Sequence, residues 1–167
     1  GLPFEYRQYD DADLDAYGAS VFGQATLTIC RRLELGLGLR HDYEHSSAIL
    51  GGHADPALAP PSETTADGSF NRSSPRATLS WHISPDALAY LEAAGGYKAG
   101  GFNPQSLPEQ TAFDEETSWT YEAGLKTSWF RNRLVANAAV FLIEWDDMQM
   151  DVPLISSPGV FYIANAG

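Results

Sequence analysis

The chain has 167 residues, enough for one domain of ordinary size, and 22 acidic against ten basic residues give it a formal net charge of −12. That balance excludes nucleic acid as a main partner, because a phosphate backbone is held by clustered Lys and Arg. The single cysteine, Cys30, excludes an internal disulfide and reads as a small wall residue beside a turn. No run of about 18 apolar residues is present to make a transmembrane helix, and the opening Gly-Leu-Pro-Phe-Glu-Tyr is not a secretory leader. A β-barrel would show neither signal.

Residues 1–15 read as a solvated acidic loop, with Asp10, Asp11, Asp13 and Asp15 close together. Alternation begins near Asp15: Tyr17, Ala19, Val21, Gly23, Ala25, Leu27 and Ile29 share one face. Period-two alternation means a strand, because successive side chains point to opposite sides of the pleat. Cys30-Arg31-Arg32 reads as a short turn. The next strand puts Leu33, Leu35, Leu37, Leu39, His41 and Tyr43 on one face, opposite Glu34, Gly36, Gly38, Arg40, Asp42 and Glu44. Residues 46–74, rich in Gly, Ala, Pro, Ser and Thr, read as a long loop.

A strand resumes at Arg76, with Ala77, Leu79, Trp81 and Ile83 opposite Thr78, Ser80 and His82, and turns at Ser84-Pro85-Asp86. Residues 87–98 form a strand whose faces the pattern leaves open: Glu92 argues for an inward even-numbered set, which would also turn Tyr90 inward. Residues 99–116 read as a second long loop. Residues 117–129 and 133–145 form a hairpin turned at 130–132. Its first strand sets Trp119, Tyr121, Ala123, Leu125 and Trp129 against Glu122, Gly124 and Lys126; its second is apolar on both faces. Residues 146–159 read as a third long loop, and a last strand starts at Val160.

Short turns at one end and long loops at the other are the pattern of an outer-membrane barrel. The charges follow it. Arg31, Arg32, Arg131 and Arg133 lie at the short-turn end, and most acids lie at the other. Trp81, Trp119, Trp129, Trp145 and Tyr121, near strand ends, suit the interfaces of a lipid bilayer. The fold expected is all-β: an antiparallel up-and-down meander of about seven long strands, part of a transmembrane β-barrel.

The stretches Gly38–Glu44, Ser74–Arg76, Ala94–Asn103, Glu116–Lys126, Phe141–Gln149 and Asn165–Gly167, in that order, resemble the barrel domain of TonB-dependent outer-membrane receptors. The resemblance covers the chain from about residue 17 onward. It implies that residues 1–167 are an internal part of a larger barrel in the outer membrane of a Gram-negative bacterium. It also implies active import of a scarce, bulky nutrient such as a ferric siderophore, haem, cobalamin or a glycan. The partners it implies are outer-membrane lipid, the small-molecule ligand and, through other parts of a parent chain, a plug domain and TonB.

The residues themselves point to binding rather than catalysis. Glu122 and Lys126 share a strand face and read as members of a charge network with Glu34, Arg40 and Arg76 that keeps a polar interior satisfied. Arg40, Arg76, Glu122 and Lys126, with Tyr97, Phe102 and Phe113 in or near the second loop, are the candidate ligand contacts. His41, His45, His53 and His82 lack metal-ligand spacing, and Asp146, Asp147 and Asp151 lack the glycine and glutamate of a calcium loop. No nucleophile–base arrangement or phosphate loop is present, so neither an enzyme nor a cofactor is expected. The alternative is a soluble β-sandwich or adhesion module with the aromatic faces buried between two sheets.

Overall fold

Alternation over the long segments produces long antiparallel strands. A computed structural model describes residues 7–55, 57, 60–104, 110–155, 157 and 159–167. One sheet of six strands runs in the order β1 (Arg7–Cys30), β2 (Leu33–Asp55), β3 (Ser62–Ser84), β4 (Ala87–Lys98), β7 (Glu116–Trp129) and β8 (Leu134–Asp146). Two small pairs accompany it: β5 (Gly101–Phe102) with β6 (Ala112–Phe113), and β9 (Met148–Pro153) with β10 (Phe161–Ala166). β9 follows β8 after a single break at Asp147, whose φ of 53° is left-handed. With β8 and β9 counted as one pass, the chain makes seven passes: β1, β2, β3, β4, β7, β8–β9 and β10.

The registers fix the faces. From β1 to β7, odd residues sit opposite odd residues: Leu27 by Leu35, Leu35 by Leu79, Leu79 by Leu91 and Leu91 by Ala123. One face therefore carries a continuous apolar row, and the other carries Glu34, Thr78, Glu92 and Glu122. The doubt over residues 87–98 is resolved, because Glu92 lies opposite Glu122 and Tyr90 opposite Gly124 on the polar face. Parity changes at the last hairpin, where Glu122 faces Phe141 and Ala123 faces Val140. The even residues of β8 thus extend the apolar row. Trp145 stands opposite Ser118, on the face of Glu122, so it does not belong to the interfacial aromatics. Trp119 and Tyr121 do, stacked with ring centroids 6.1 Å apart.

Four expected loops are corrected. The acidic segment belongs to β1 from Arg7 onward, with Arg7 opposite Asp55; residues 1–6 lie outside the described residues. Residues 46–74 are not a loop: β2 continues to Asp55, β3 starts at Ser62, and the two stay in register from Leu33–Trp81 to Gly52–Ser62. Their Ser, Thr, Gly and Ala content misled the reading, because cross-strand pairing overrides weak local propensity. Pro75 fits inside β3 because the pairing of β3 with β4 stops at Arg76–Ala94, so no partner there needs its missing N–H. Gly95 belongs to the same accommodation, since a Cβ on it would lie 3.1 Å from Pro75 Cδ. The second loop holds the β5–β6 pair and the third holds β9, while the last strand, expected from Val160, is β10.

The short turns are tied together. Asp86 N donates to Ser84 Oγ at 3.2 Å, and Ser128 N donates to Asp86 O at 2.9 Å. The β7–β8 turn holds Phe130, Arg131 and Asn132 at φ of 53°, 57° and 64°.

The sheet is one layer. Among the described residues the only buried apolar side chains are Ala48 and Leu50, each 2% exposed, whereas Leu39, Trp81 and Val140 are 55%, 53% and 72% exposed. A soluble sandwich needs a second sheet over that row, and among the described residues there is none. The sandwich alternative fails here.

The parity change makes a direct prediction. Val140→Arg, on the apolar row, should destabilise insertion of the sheet into lipid by about 2–4 kcal/mol, and Phe141→Arg should cost far less. Denaturant titration into lipid vesicles measures both. Equal costs would disprove the face assignment.

Candidate functional site

The polar face has two levels. The lower one is centred on β4 and β7. Arg76 Nη2 donates to Glu92 Oε2 at 2.6 Å, and Thr78 Oγ1 donates to the same oxygen at 3.1 Å. Beside them Tyr90 OH donates to Glu122 Oε1. The Tyr90 ring lies across Gly124, where any Cβ would collide with it. Lys126 Nζ sits 5.1 Å from the ring centroid. Glu122-x-Gly124-x-Lys126 is thus a seat for Tyr90: a carboxylate receives the phenol, a glycine clears the ring, and an ammonium meets the π face. The expected single charge network resolves into separate contacts. Arg40 pairs with Asp42, Arg76 with Glu92, and His82 Nε2 lies 3.5 Å from Glu34 Oε2.

The upper level lies toward the end where β2 and β3 are longest. Arg40 Nε donates to both Asp42 carboxylate oxygens at 2.9 Å, and Arg40 Nη2 lies 2.7 Å from Oδ1. Arg72 Nη1 pairs with Glu115 Oε1 at 3.0 Å. A polar hollow of about 790 Å³ opens beside Arg40, lined by Gly18, Ser20, Asp42, Glu44, Ser74, Gly96, Tyr97 and Lys98 among others. Gly18 and Gly96 bring no side chain to this lining. The Tyr97 hydroxyl is buried without a hydrogen-bond partner among the described residues. Hollows of about 610 and 520 Å³ elsewhere are lined mainly by apolar-row residues such as Leu79, Leu91 and Val140, and are grooves of the opposite face.

Beyond the hollow, the segment after β4 is clamped to β9–β10 by three amide side chains. Asn103 is only 1% exposed. Its Nδ2 donates to Gln110 O at 2.8 Å and Ile163 O at 2.9 Å, and its Oδ1 accepts from Ile163 N at 2.7 Å. Asn165 Oδ1 accepts from Asp114 N at 2.7 Å, while its Nδ2 donates to Asp147 O at 2.8 Å. Gln149 Nε2 donates to Ala99 O at 2.8 Å and Asp114 O at 3.0 Å. On the other side the segment meets β3. A Cβ on Gly68 would lie 3.4 Å from Phe70 Cζ and 3.5 Å from Phe102 Cζ, and one on Gly101 would lie 2.9 Å from Phe113 Cζ.

The candidate residues therefore divide into three groups. Arg40 and Tyr97 meet at the hollow. Glu122 and Lys126 meet at Tyr90, with Arg76 alongside on Glu92. Phe102 and Phe113 lie in the β5–β6 pair, outside the lining of the hollow. Sequence reasoning missed Phe70, Asn103 and Gln149. The only available signal was an amide or aromatic in a segment without periodicity, which names no partner.

Two outcomes follow. Asn103→Ala strips partners from the Ile163 N–H and C=O and should cost about 1–3 kcal/mol locally, read as faster hydrogen exchange at Ile163 with little change in β7. Gly124→Ala should displace Tyr90 and lower the stability to unfolding in detergent by about 1–3 kcal/mol.

Comparison with known proteins agrees with this architecture. Residues 2–167 match the family described as TonB dependent receptor-like, beta-barrel. The ferric yersiniabactin uptake receptor FyuA from Yersinia pestis superposes with a TM-score of 0.79 at 21% identity, over 96% of this chain and 23% of that one. The open form of the ferric-catecholate import receptor Fiu from E. coli K12 gives 0.62 at 20% identity, over 81% and 20%. Its closed form gives 0.63 at 20% identity, over 90% and 24%. At these identities the likeness is one of fold, and the chain spans less than a quarter of each receptor's length. With the family match covering nearly every residue, the chain belongs to the TonB-dependent receptor β-barrel family, whose members are outer-membrane receptors.

Proposed function

We propose that this chain is one sector of the barrel wall of a receptor in a Gram-negative outer membrane, and that the receptor imports a scarce, bulky nutrient with energy delivered through TonB. Candidate cargoes are iron chelates, haem, cobalamin and glycans. FyuA and Fiu are both uptake receptors for iron compounds, which favours a ferric chelate. The observation that carries the reading is the polar hollow of about 790 Å³ beside Arg40, at the end where the strands run longest. Arg40, Tyr97 and Lys98 are the ligand contacts in this reading. Phe102 and Phe113 hold the β5–β6 segment at the rim.

Arg76, Glu122 and Lys126, lower on the wall, face whatever fills the interior. That occupant is a folded plug rather than water. Val135, Phe141 and Trp145 of β8, which are 62%, 68% and 53% exposed, lie on the interior face. A water-filled channel wants polar lining. Capture at the hollow and movement of the plug then deliver the ligand inward, with no covalent chemistry.

The test uses the full-length receptor. A strain deleted for it should regain growth on a ferric chelate when the intact gene is returned, and the purified receptor should bind that chelate in detergent. Arg40→Ala combined with Tyr97→Ala should weaken binding by about tenfold or more, a loss of roughly 1.4 kcal/mol. No restored uptake and no binding of any of the candidate cargoes would refute the transport reading.

A further inference from the structure

We infer that the ligand taken at the mouth of this wall is electroneutral or cationic, and not a polyanion. The inference rests on the receptor reading above and narrows its substrate class. It comes from how the cations of the polar face are used. Arg40 is held by Asp42 at 2.7 Å, Arg72 by Glu115 at 3.0 Å and Arg76 by Glu92 at 2.6 Å. Each guanidinium charge is already offset by a carboxylate, so a ligand carboxylate, catecholate or phosphate would have to share it with that acid.

Lys98 is the remaining cation at the hollow, and among the described residues it has no acid partner. The same lining holds one carboxylate, Glu44, that likewise has no cationic partner among the described residues. A ligand carrying three negative charges would meet one free ammonium and one free carboxylate, and would have to break an existing ion pair to gain more. What the hollow does offer is neutral hydrogen bonding from Ser20 and Ser74.

The experiment compares two iron chelates of similar bulk on the full-length receptor in detergent. One is an uncharged ferric tris-hydroxamate, and the other a trianionic ferric tris-catecholate. Tryptophan fluorescence quenching reads the affinity of each. The uncharged chelate should bind about tenfold tighter or more at moderate salt. Asp42→Asn combined with Glu115→Gln frees two guanidinium groups, and should shift the affinity ratio toward the trianion by about tenfold or more. Should that variant fail to give the compact, heat-modifiable gel band of a folded barrel, Glu44→Gln breaks no ion pair and should shift the ratio severalfold in the same direction. A wild-type receptor that prefers the trianion, or a ratio that does not move when the acids are removed, overturns the inference and leaves the receptor reading standing. Binding of neither chelate, with no uptake by the complemented strain, removes the receptor reading and this inference together.

Discussion

Everything in this chain depends on one sheet serving as a boundary between two media. A single layer cannot hide its apolar side chains in a core, so they must face hydrocarbon. In hydrocarbon every backbone N–H and C=O must be met by a neighbouring strand. Pairing of each neighbouring strand from β1 to β8 meets the second condition over the lower sheet, below the point where β3 and β4 part at Arg76–Ala94, and constant parity from Leu27 to Ala123 meets the first. A slip of one residue in any pair would turn a whole strand inside out. The features that seem decorative follow from this: Gly95 clears room for Pro75, and Gly124 clears room for Tyr90, so that neither ring forces its strand out of register.

The interior face obeys a different rule. Its polar groups are settled in small local sets: Arg76 and Thr78 on Glu92 and Tyr90 on Glu122 link adjacent strands, and Arg40 meets Asp42 along β2 itself. Such sets satisfy the wall without a partner. The upper rim is settled by amides instead. Asn103, Gln149 and Asn165 pair with backbone rather than with charges, which suits a place where irregular chain would otherwise leave N–H and C=O groups unmet.

Much of the wall was legible in the sequence because period two is the strongest signal a strand carries. The leucine row of β2 and the Glu122–Lys126 face were plain from spacing alone, and the six family-like stretches ordered them. Three things were hidden. The parity change between β7 and β8 depends on the four residues between Trp129 and Leu134, and β8 is apolar on both faces, so its own pattern cannot choose. The upper halves of β2 and β3 have loop-like composition and become strand only because each supplies the other's partners. The amide clamps join residues as far apart as Asn103 and Ile163, and a lone asparagine carries no mark of its partner.

The long upper halves of β2 and β3 carry a consequence for ligand capture. From His41 to Asp55 the chain runs on as paired strand for about 50 Å at roughly 3.3 Å per residue. A mouth built from loops would have to freeze on each encounter and would lose affinity to that ordering. Here the side walls of the mouth are already fixed, backbone against backbone, before anything arrives. In the receptor reading proposed above, recognition at this entrance is closer to a rigid template than to a closing hand, and its selectivity is set by the shape and charge that the folded wall already holds.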